Sequence, residues 1–301
     1  MFNSVAELLE ICEKESKLIS EVMLDFEVKR GELSRLEIMN KMKQNLKIMR
    51  ASVATGLEGV VSTTGLTGKD ALKMDAYIKK GGTLSGKTTL RAAVMAIATN
   101  EVNAAMGIIC ASPTAGSAGI LPGVLFMLEE KLNLCDDQLV SFLLTSGAFG
   151  LITANNAFIA GAAGGCQAEI GTSSAMAAAA AVEVSGGSPK QSADAFAIAM
   201  ANMLGLVCDP VAGLVEVPCI KRNAAGASNA LVAADMALAG LVSEIPTDEV
   251  IEAMYEIGVA MPTQFKETAE GGLANTPTGR RIEKEIFGTN PRCMKCSSHR
   301  D

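Results

Sequence analysis

Three cysteines lie in settings where a thiolate could bind a metal. Cys166, Cys208 and Cys219 each stand within two residues of Gly or Pro, at the predicted end of a helix or in a loop. A thiolate ligand needs such a setting, because the backbone has to approach the metal and nearby N–H groups have to satisfy the sulfur. By their spacing alone, the three residues leave cluster ligation and buried free thiols both open.

The chain has eight cysteines in all, and the setting of the others differs. Cys12, Cys110 and Cys135 are expected to be core residues, since a structural cysteine usually lies on an apolar face. The N-terminal segment is an acidic amphipathic helix without the pattern of a signal peptide. We therefore expect a reducing cytoplasmic location, and metal binding or free thiols instead of disulfides.

Four Gly-rich loops are the second candidate for a site, and three of them also carry small hydroxyl residues. They cover residues 62–68, 81–86, 112–119 and 161–166. Such loops expose backbone N–H groups and allow an anion or a cluster to come close. Any one of these loops could simply connect two helices, but four such loops beside apolar helices favour a shared pocket.

The segment Gly81–Thr88 also satisfies the phosphate-loop pattern GxxxxGK[ST]. A true phosphate loop follows a buried strand and opens a helix. The preceding residues, DALKMDAYIKK, are charged and helical in pattern. We therefore do not predict nucleotide binding, although the loop could still bind an anion such as a substrate carboxylate.

The hydrophobic pattern predicts an all-α fold, a multi-helix globular catalytic domain with Gly/Ser/Thr-rich loops around a central site. Capping boxes are predicted at Ser4 with Glu7 and at Ser34 with Glu37, and Ser188-Pro189 is a further start signal. The predicted units are an N-terminal helical pair over 1–55, the catalytic domain over 56–288 and a cysteine-containing tail over 289–301. Helices are predicted near residues 5–29, 35–54, 70–80, 87–107, 120–134, 137–153, 171–184, 189–206, 221–243, 248–260 and 278–287.

Composition excludes two classes of partner. The net charge is −7 with acidic and basic residues interleaved, and no basic stripe with aromatic platforms suggests nucleic acid. Residues 102–128 and 138–168 carry no formal charge, and by length they could span a membrane. Polar and Gly-rich interruptions in both stretches predict buried helices and loops instead, so no membrane partner is expected.

Three segments in order along the chain carry a family resemblance. SPTAGSAGILPG, GAAGGCQAEIG and CDPVAGLVEVPC resemble the signature segments of the iron–sulfur L-serine dehydratases, specifically their alpha chain. The resemblance extends over nearly all of residues 1–288. It implies a [4Fe–4S] cluster bound by Cys166, Cys208 and Cys219, with the fourth iron open to act as a Lewis acid.

The implied reaction converts L-serine to pyruvate and ammonia. An open iron would take the substrate's carboxylate and β-hydroxyl, and a base would remove the α-proton. With the β-hydroxyl leaving as hydroxide taken up by the iron, this elimination would give aminoacrylate, which tautomerises to an imine, and water hydrolyses the imine to pyruvate and ammonia. Together with the loop chemistry, the resemblance suggests these substrate contacts: Ser62, Thr63, Thr64, Gly65, Thr114, Gly116, Ser117 and Asn155.

The general base is not identified by the sequence. The single histidine, His299, lies in the tail, so we expect the base to come from a second polypeptide, the beta chain of a heterodimer. In the family a C-terminal cysteine can occupy the open iron, and Cys293 or Cys296 could do so here. Because the chain continues past both as SSHRD, CMKCSSH also reads as a weak metal site of another kind.

Several alternatives remain open at this stage. A non-catalytic iron–sulfur protein for redox or assembly would bind a cluster without turning over serine. A pyridoxal-phosphate dehydratase would perform the same reaction, but it needs alternating strands and helices with a phosphate cup, and the sequence shows neither. Asp209 and Glu169 could support the metal site or could be helix-end charges.

Overall fold

The computed structural model describes residues 2–288, and within them the chain folds into thirteen α-helices. Extended pairing in this range is limited to two isolated bridges, so the predicted all-α fold is confirmed. The helices are α1 Val5–Glu15, α2 Ile19–Arg30, α3 Arg35–Glu58, α4 Asp70–Lys80, α5 Lys87–Ala104, α6 Ile120–Leu132, α7 Asp136–Asn156, α8 Gly161–Gly164, α9 Thr172–Val184, α10 Pro189–Ala201, α11 Cys219–Leu238, α12 Thr247–Ala260 and α13 Pro277–Phe287.

Helix α9 forms the centre of the fold. It is buried over almost its whole length and contains an unbroken run of five alanines over residues 177–181. It packs against α7, α10 and α11. Short alanine side chains let helix axes approach closely, and the core is filled mainly by aliphatic and methionine side chains.

Glycines set the contacts of α5 with its neighbours. A Cβ on Gly56 of α3 would stand 2.1 Å from the carbonyl oxygen of Ala98, and one on Gly123 of α6 would stand 2.6 Å from that of Ala92. Since no side chain fits at either crossing, these helices meet α5 backbone to backbone. This packing holds the loops at the ends of α5 and α6 in fixed positions.

The N-terminal region differs from the prediction. A single helix was expected over 5–29, but Ser16 adopts a left-handed conformation with φ of 51° and divides it into α1 and α2. The Asp248 carboxylate accepts hydrogen bonds from the N–H groups of Val5 (2.8 Å) and Ala6 (3.0 Å). Asp248 lies in the first turn of its own helix, α12, and it also caps α1.

Two buried carboxylates cap helices in the same way. Glu183 accepts from the N–H of Ile19 at 2.8 Å and from the Thr145 hydroxyl at 2.7 Å. Glu101 accepts from the N–H of Asp70 at 2.7 Å. Burial raises the pKa of both carboxyls, and the hydrogen bonds only partly oppose that effect.

The local start signals are largely confirmed. Ser34 and Glu37 form a reciprocal capping box, and Ser188 caps α10 with Pro at its first turn. At α1 the box is only half formed. Ser4 accepts from the Glu7 N–H at 3.1 Å, but the Glu7 carboxylate accepts from the N–H of Asn3 instead.

One described helix, Asp136–Asn156, is long and apolar enough to cross a membrane by length and composition, and 61% of its most apolar window is buried inside the fold.

Candidate metal centre

Cys166 lies between α8 and a π-helical turn, Gln167–Gly171, and its neighbour fixes its position. The fully buried Gln167 donates from its backbone to the Leu206 carbonyl (2.9 Å) and from its side chain to the Met254 carbonyl (2.9 Å). The Gly205 N–H donates back to the Gln167 side chain at 2.9 Å. Cys166 is therefore anchored to the segment that leads to Cys208.

Cys208 lies in an extended segment held on both sides by backbone hydrogen bonds. Its N–H donates to the Phe265 carbonyl at 2.8 Å, and its carbonyl accepts from the Glu267 N–H at 2.8 Å. The side chain is buried. This pairing brings residues 265–267, which sequence reasoning did not connect with the site, against the second cysteine.

Cys219 is the first residue of α11 and follows a cis peptide between Val217 and Pro218. The fully buried Asn223, one turn later, donates to the Cys219 carbonyl at 2.9 Å and to the Gly116 carbonyl at 2.8 Å. Its amide oxygen accepts from the Gly119 N–H at 3.1 Å. Asn223 thus joins the 112–119 loop to the start of α11.

Two of the three predicted cysteines come together with a carboxylate. Among residues 2–288, the group that could hold a metal ion comprises Cys166, Glu169 and Cys208, whose ligand atoms lie within 4.8 Å of one another. Cys219 is buried and lies outside this tight group, yet its pKa is raised by burial and further by the charges of Cys166 and Glu169. The third thiol is therefore within electrostatic reach of Cys166 and Glu169.

The pKa values of the two neighbouring thiols, Cys166 and Cys208, are shifted in opposite directions. A hydrogen bond from Cys208 lowers the pKa of Cys166, and the nearby Arg222 guanidinium lowers it further. The shared proton and burial raise the pKa of Cys208. Cys166 is consequently the thiol that the protein best stabilises as a thiolate, the form that binds metals.

The Glu169 carboxylate lies against two glycines, Gly116 and Gly161, where a side chain would leave no room for it. The Thr114 hydroxyl donates to its carboxylate, while burial raises the Glu169 pKa. A Cβ on Gly116 would stand 2.6 Å from one carboxylate oxygen, and a Cβ on Gly161 would stand 3.0 Å from the other and 2.8 Å from the Cys208 sulfur. Two of the four loops predicted to share a pocket, 112–119 and 161–166, thus come together beside Glu169 and Cys208.

Comparison with known proteins then identifies the family. The family profile described as "Serine dehydratase alpha chain" matches residues 14–274. The chain belongs to the serine dehydratase alpha-chain family. Its sequence is 62% identical over 288 residues to the "Probable L-serine dehydratase, alpha chain" of Bacillus subtilis, covering 96% of each chain. It is 41% identical to the "L-serine dehydratase, alpha chain" of Peptoniphilus asaccharolyticus, covering 95% of this chain and 99% of that one.

Some members of the serine dehydratase family are longer. The "L-serine dehydratase" of Streptomyces coelicolor is 39% identical over 277 residues, which cover 91% of this chain but 60% of that protein. The matching region is therefore one part of that relative.

The 62–68 loop meets a residue that sequence reasoning missed. Thr64 and Thr67 donate their hydroxyls to the buried Glu216 carboxylate at 2.8 and 2.6 Å, and the Ser62 hydroxyl lies 3.2 Å from that of Thr64. Glu216 stands three residues before Cys219. This short separation in sequence between a carboxylate and a candidate metal ligand is the signal by which Glu216 could have been found.

The other residues predicted to contact the substrate lie in different environments, from fully buried to exposed. In the 62–68 loop, the Thr63 N–H donates to the Ala104 carbonyl at 3.4 Å, and Gly65 has a φ of 73°. Ser117 is fully buried and donates to the Ser112 carbonyl at 3.1 Å. Asn155 is exposed near the end of α7.

The remaining cysteines only partly follow expectation. Cys12 is buried as predicted, Cys110 is half-buried, and Cys135 is exposed at the start of α7. The expectation of a core position was therefore wrong for Cys135, because it is the N-cap of α7 and is followed by the charged Asp136 and Asp137. Cys293, Cys296 and His299 lie outside the described residues.

Proposed function

We propose that this chain is the cluster-binding catalytic alpha chain of an L-serine dehydratase, which converts L-serine to pyruvate and ammonia. The observation that carries the proposal is the convergence of Cys166, Cys208 and Glu169 in one buried group, in a chain of the serine dehydratase family. The names of the relatives supply the substrate, since the geometry alone does not distinguish serine from other hydroxy amino acids.

A [4Fe–4S] cluster is the cofactor that fits the donor set. Cys166, Cys208 and Cys219 are three buried thiols on three separate segments, and Arg222 donates a hydrogen bond to the Cys166 sulfur at 3.4 Å. Buried thiolates with N–H donors are typical of iron–sulfur ligation. When bound, the cluster would supply an open iron that acts as a Lewis acid on the substrate's oxygens.

The chain's own polar groups would orient the amino acid. Serine carries an ammonium group, and Glu169, held by Thr114, is a buried carboxylate beside the cysteines that could bind it. The 62–68 loop, tied to Glu216, would close one side of the pocket with its hydroxyl groups. These contacts would fix the α-carbon for proton removal and limit access of water.

The base that removes the α-proton would come from a beta chain. The match covers 60% of the longer Streptomyces coelicolor relative, so 40% of that protein lies outside it. This additional length supports a further polypeptide in the complete enzyme. Residues 1–55 are our candidate for assembly with it, and this role stays a prediction. The same proposal assigns the reaction to the cytoplasm.

Cluster reconstitution tests the proposal directly. The chain, alone and with its beta chain, is reconstituted anaerobically with iron and sulfide and assayed for pyruvate formation from L-serine. We expect a brown, oxygen-labile protein that is active only with the beta chain, and loss of iron in the Cys166→Ser, Cys208→Ser and Cys219→Ser variants. The exposed Cys135→Ser variant should retain its iron and serves as the control.

Two outcomes would contradict this function. A cluster without pyruvate formation, even with the beta chain present, would support a redox or assembly protein. Full activity of the isolated chain would remove the need for a partner's base.

The tail cysteines extend the proposal. Cys293 or Cys296 would occupy the open iron until serine displaces it. Truncation after Asn290 should then lower the KM for serine, and an unchanged or higher KM would exclude competition by the tail.

A further inference from the structure

One side chain contacts the segments of all three candidate ligands. Arg222 lies on α11, one turn after Cys219. One guanidinium nitrogen, Nη1, donates to the Cys166 sulfur at 3.4 Å and to the Val207 carbonyl at 2.9 Å. The other nitrogen, Nη2, lies 2.9 Å from an oxygen of Asp209. Val207 and Asp209 flank Cys208, so the guanidinium joins all three cysteine segments.

The Asp209 carboxylate extends this network toward the C-terminal part of the chain. Asp209 is 3% exposed, and its second oxygen accepts from the Leu273 N–H at 2.7 Å. Gly272 has a φ of 57°, and a Cβ there would stand 2.2 Å from the Asp209 carboxylate. The backbone therefore approaches this ion pair as closely as glycine permits, and residues 272–275 lead directly into α13.

Arginine is chemically suited to this position. Its planar fork carries several N–H donors in fixed directions, so it can serve a sulfur, a carbonyl and a carboxylate together, whereas a lysine offers a single point charge. N–H donors to a ligating sulfur, and positive charge near a cluster, favour its reduced form and strengthen retention of the metal.

We propose that Arg222 is the positioning residue of the cluster, holding the three cysteine segments in register and setting both the retention and the reduction potential of the bound cluster. This inference rests on the proposed iron–sulfur function. Arg222 acts through Cys166 and through the backbone around Cys208, and it need not touch the substrate.

A set of variants separates charge from packing. Arg222→Met removes the charge at similar length, and Arg222→Lys keeps a charge without the fork. Because Arg222→Met leaves Asp209 buried without its cation, which is destabilising in itself, the double variant Arg222→Met with Asp209→Asn removes both charges. Lys221→Met, at the exposed neighbouring position, is the matched control.

The measurements are iron release to a chelator under anaerobic conditions and the reduction potential of the cluster, each on the reconstituted protein. We expect Arg222→Met to release iron roughly 10–100-fold faster and to have a more negative potential, with Arg222→Lys between it and the wild type. The double variant should keep the negative potential even if it recovers thermal stability. Lys221→Met should behave as the wild type does.

The possible failures are distinguishable. If the wild-type chain takes up no cluster, the proposed function fails. If the wild-type chain takes up a cluster and Arg222→Met has the same potential and iron release, the role of Arg222 is wrong. Full recovery of both measurements in the double variant would also overturn it, because the effect would then come from the unpaired Asp209.

Discussion

The hydroxyl of Thr64 donates to the carboxylate of Glu216 at 2.8 Å, across 152 positions of the chain. This hydrogen bond joins the 62–68 loop to the segment that ends at Cys219. With Thr67 on the other carboxylate oxygen at 2.6 Å, the loop is attached at two points. The buried Glu216 therefore fixes the hydroxyl-rich loop to the segment that leads into Cys219.

Replacing that acid should weaken substrate turnover. In Glu216→Gln the amide oxygen can accept from one threonine, but its NH₂ group cannot accept from the other, and a hydrogen bond to a charged group contributes about 1.5–3 kcal/mol. We expect kcat/KM for L-serine to fall at least about tenfold, measured as pyruvate formation by the complete enzyme. The exposed Glu252→Gln variant is the control, and equal activity of the two variants would contradict a role for the loop.

Filling the glycine position beside the cysteines should impair metal uptake. In Gly161→Ala the new Cβ would stand 2.8 Å from the Cys208 sulfur and 3.0 Å from a Glu169 oxygen, so the ligand group must move. Iron retention after anaerobic reconstitution should weaken by roughly tenfold, as measured by iron per chain after chelator treatment. Retention equal to that of the wild type would show that the group tolerates a side chain there.

Replacing two helical glycines with alanine should change the stability of the fold in opposite directions. Around Gly147 of α7 a new Cβ would find open space within 4 Å, whereas on Gly56 of α3 it would stand 2.1 Å from the Ala98 carbonyl oxygen. We expect Gly147→Ala to stabilise the fold by about 0.5–1 kcal/mol and Gly56→Ala to destabilise it by about 1–3 kcal/mol. Urea denaturation measures both, and a destabilised Gly147→Ala variant would contradict the open packing.

The buried carboxyl of Glu183 should make stability depend on pH. Burial raises its pKa in the folded state above its ordinary value, so the folded chain binds this proton more tightly than the unfolded chain. The free energy of unfolding therefore has a contribution from Glu183 that is largest below the ordinary pKa and decreases as pH rises through the raised one.

The Glu183→Gln variant removes this dependence. Relative to the wild type, its free energy of unfolding should increase as pH rises above the ordinary glutamate pKa, as measured by urea denaturation in a series of buffers. Glu252→Gln should give a difference that does not vary over the same series. A pH-independent difference for Glu183→Gln would show that its pKa is unperturbed in the folded state.

Much of the fold was predictable because its signals are local. Ser34 with Glu37 and Ser188 with Pro189 mark helix starts through residues three positions apart or adjacent, and the helix predicted near 70–80 is Asp70–Lys80. The break at Ser16 was missed because a left-handed serine has no strong sequence signal.

The site was predictable in its cysteines and less so in their partners. Cys166 and Cys208 carry a recognisable context, and their sulfurs lie together. Glu216 and Arg222 act through side chains that meet distant segments, and a sequence pattern does not report such contacts. Each had only a positional signal: Glu216 stands three residues before Cys219, and Arg222 stands one helical turn after it.

The cap that Asp248 provides for α1 has a consequence for synthesis. Helix α1 obtains two of its N-terminal hydrogen bonds from a residue that is synthesised 243 positions after Val5. Until α12 has left the ribosome, those amides must be satisfied by water. We therefore expect this cap to stabilise the start of α1 only after α12 has been synthesised.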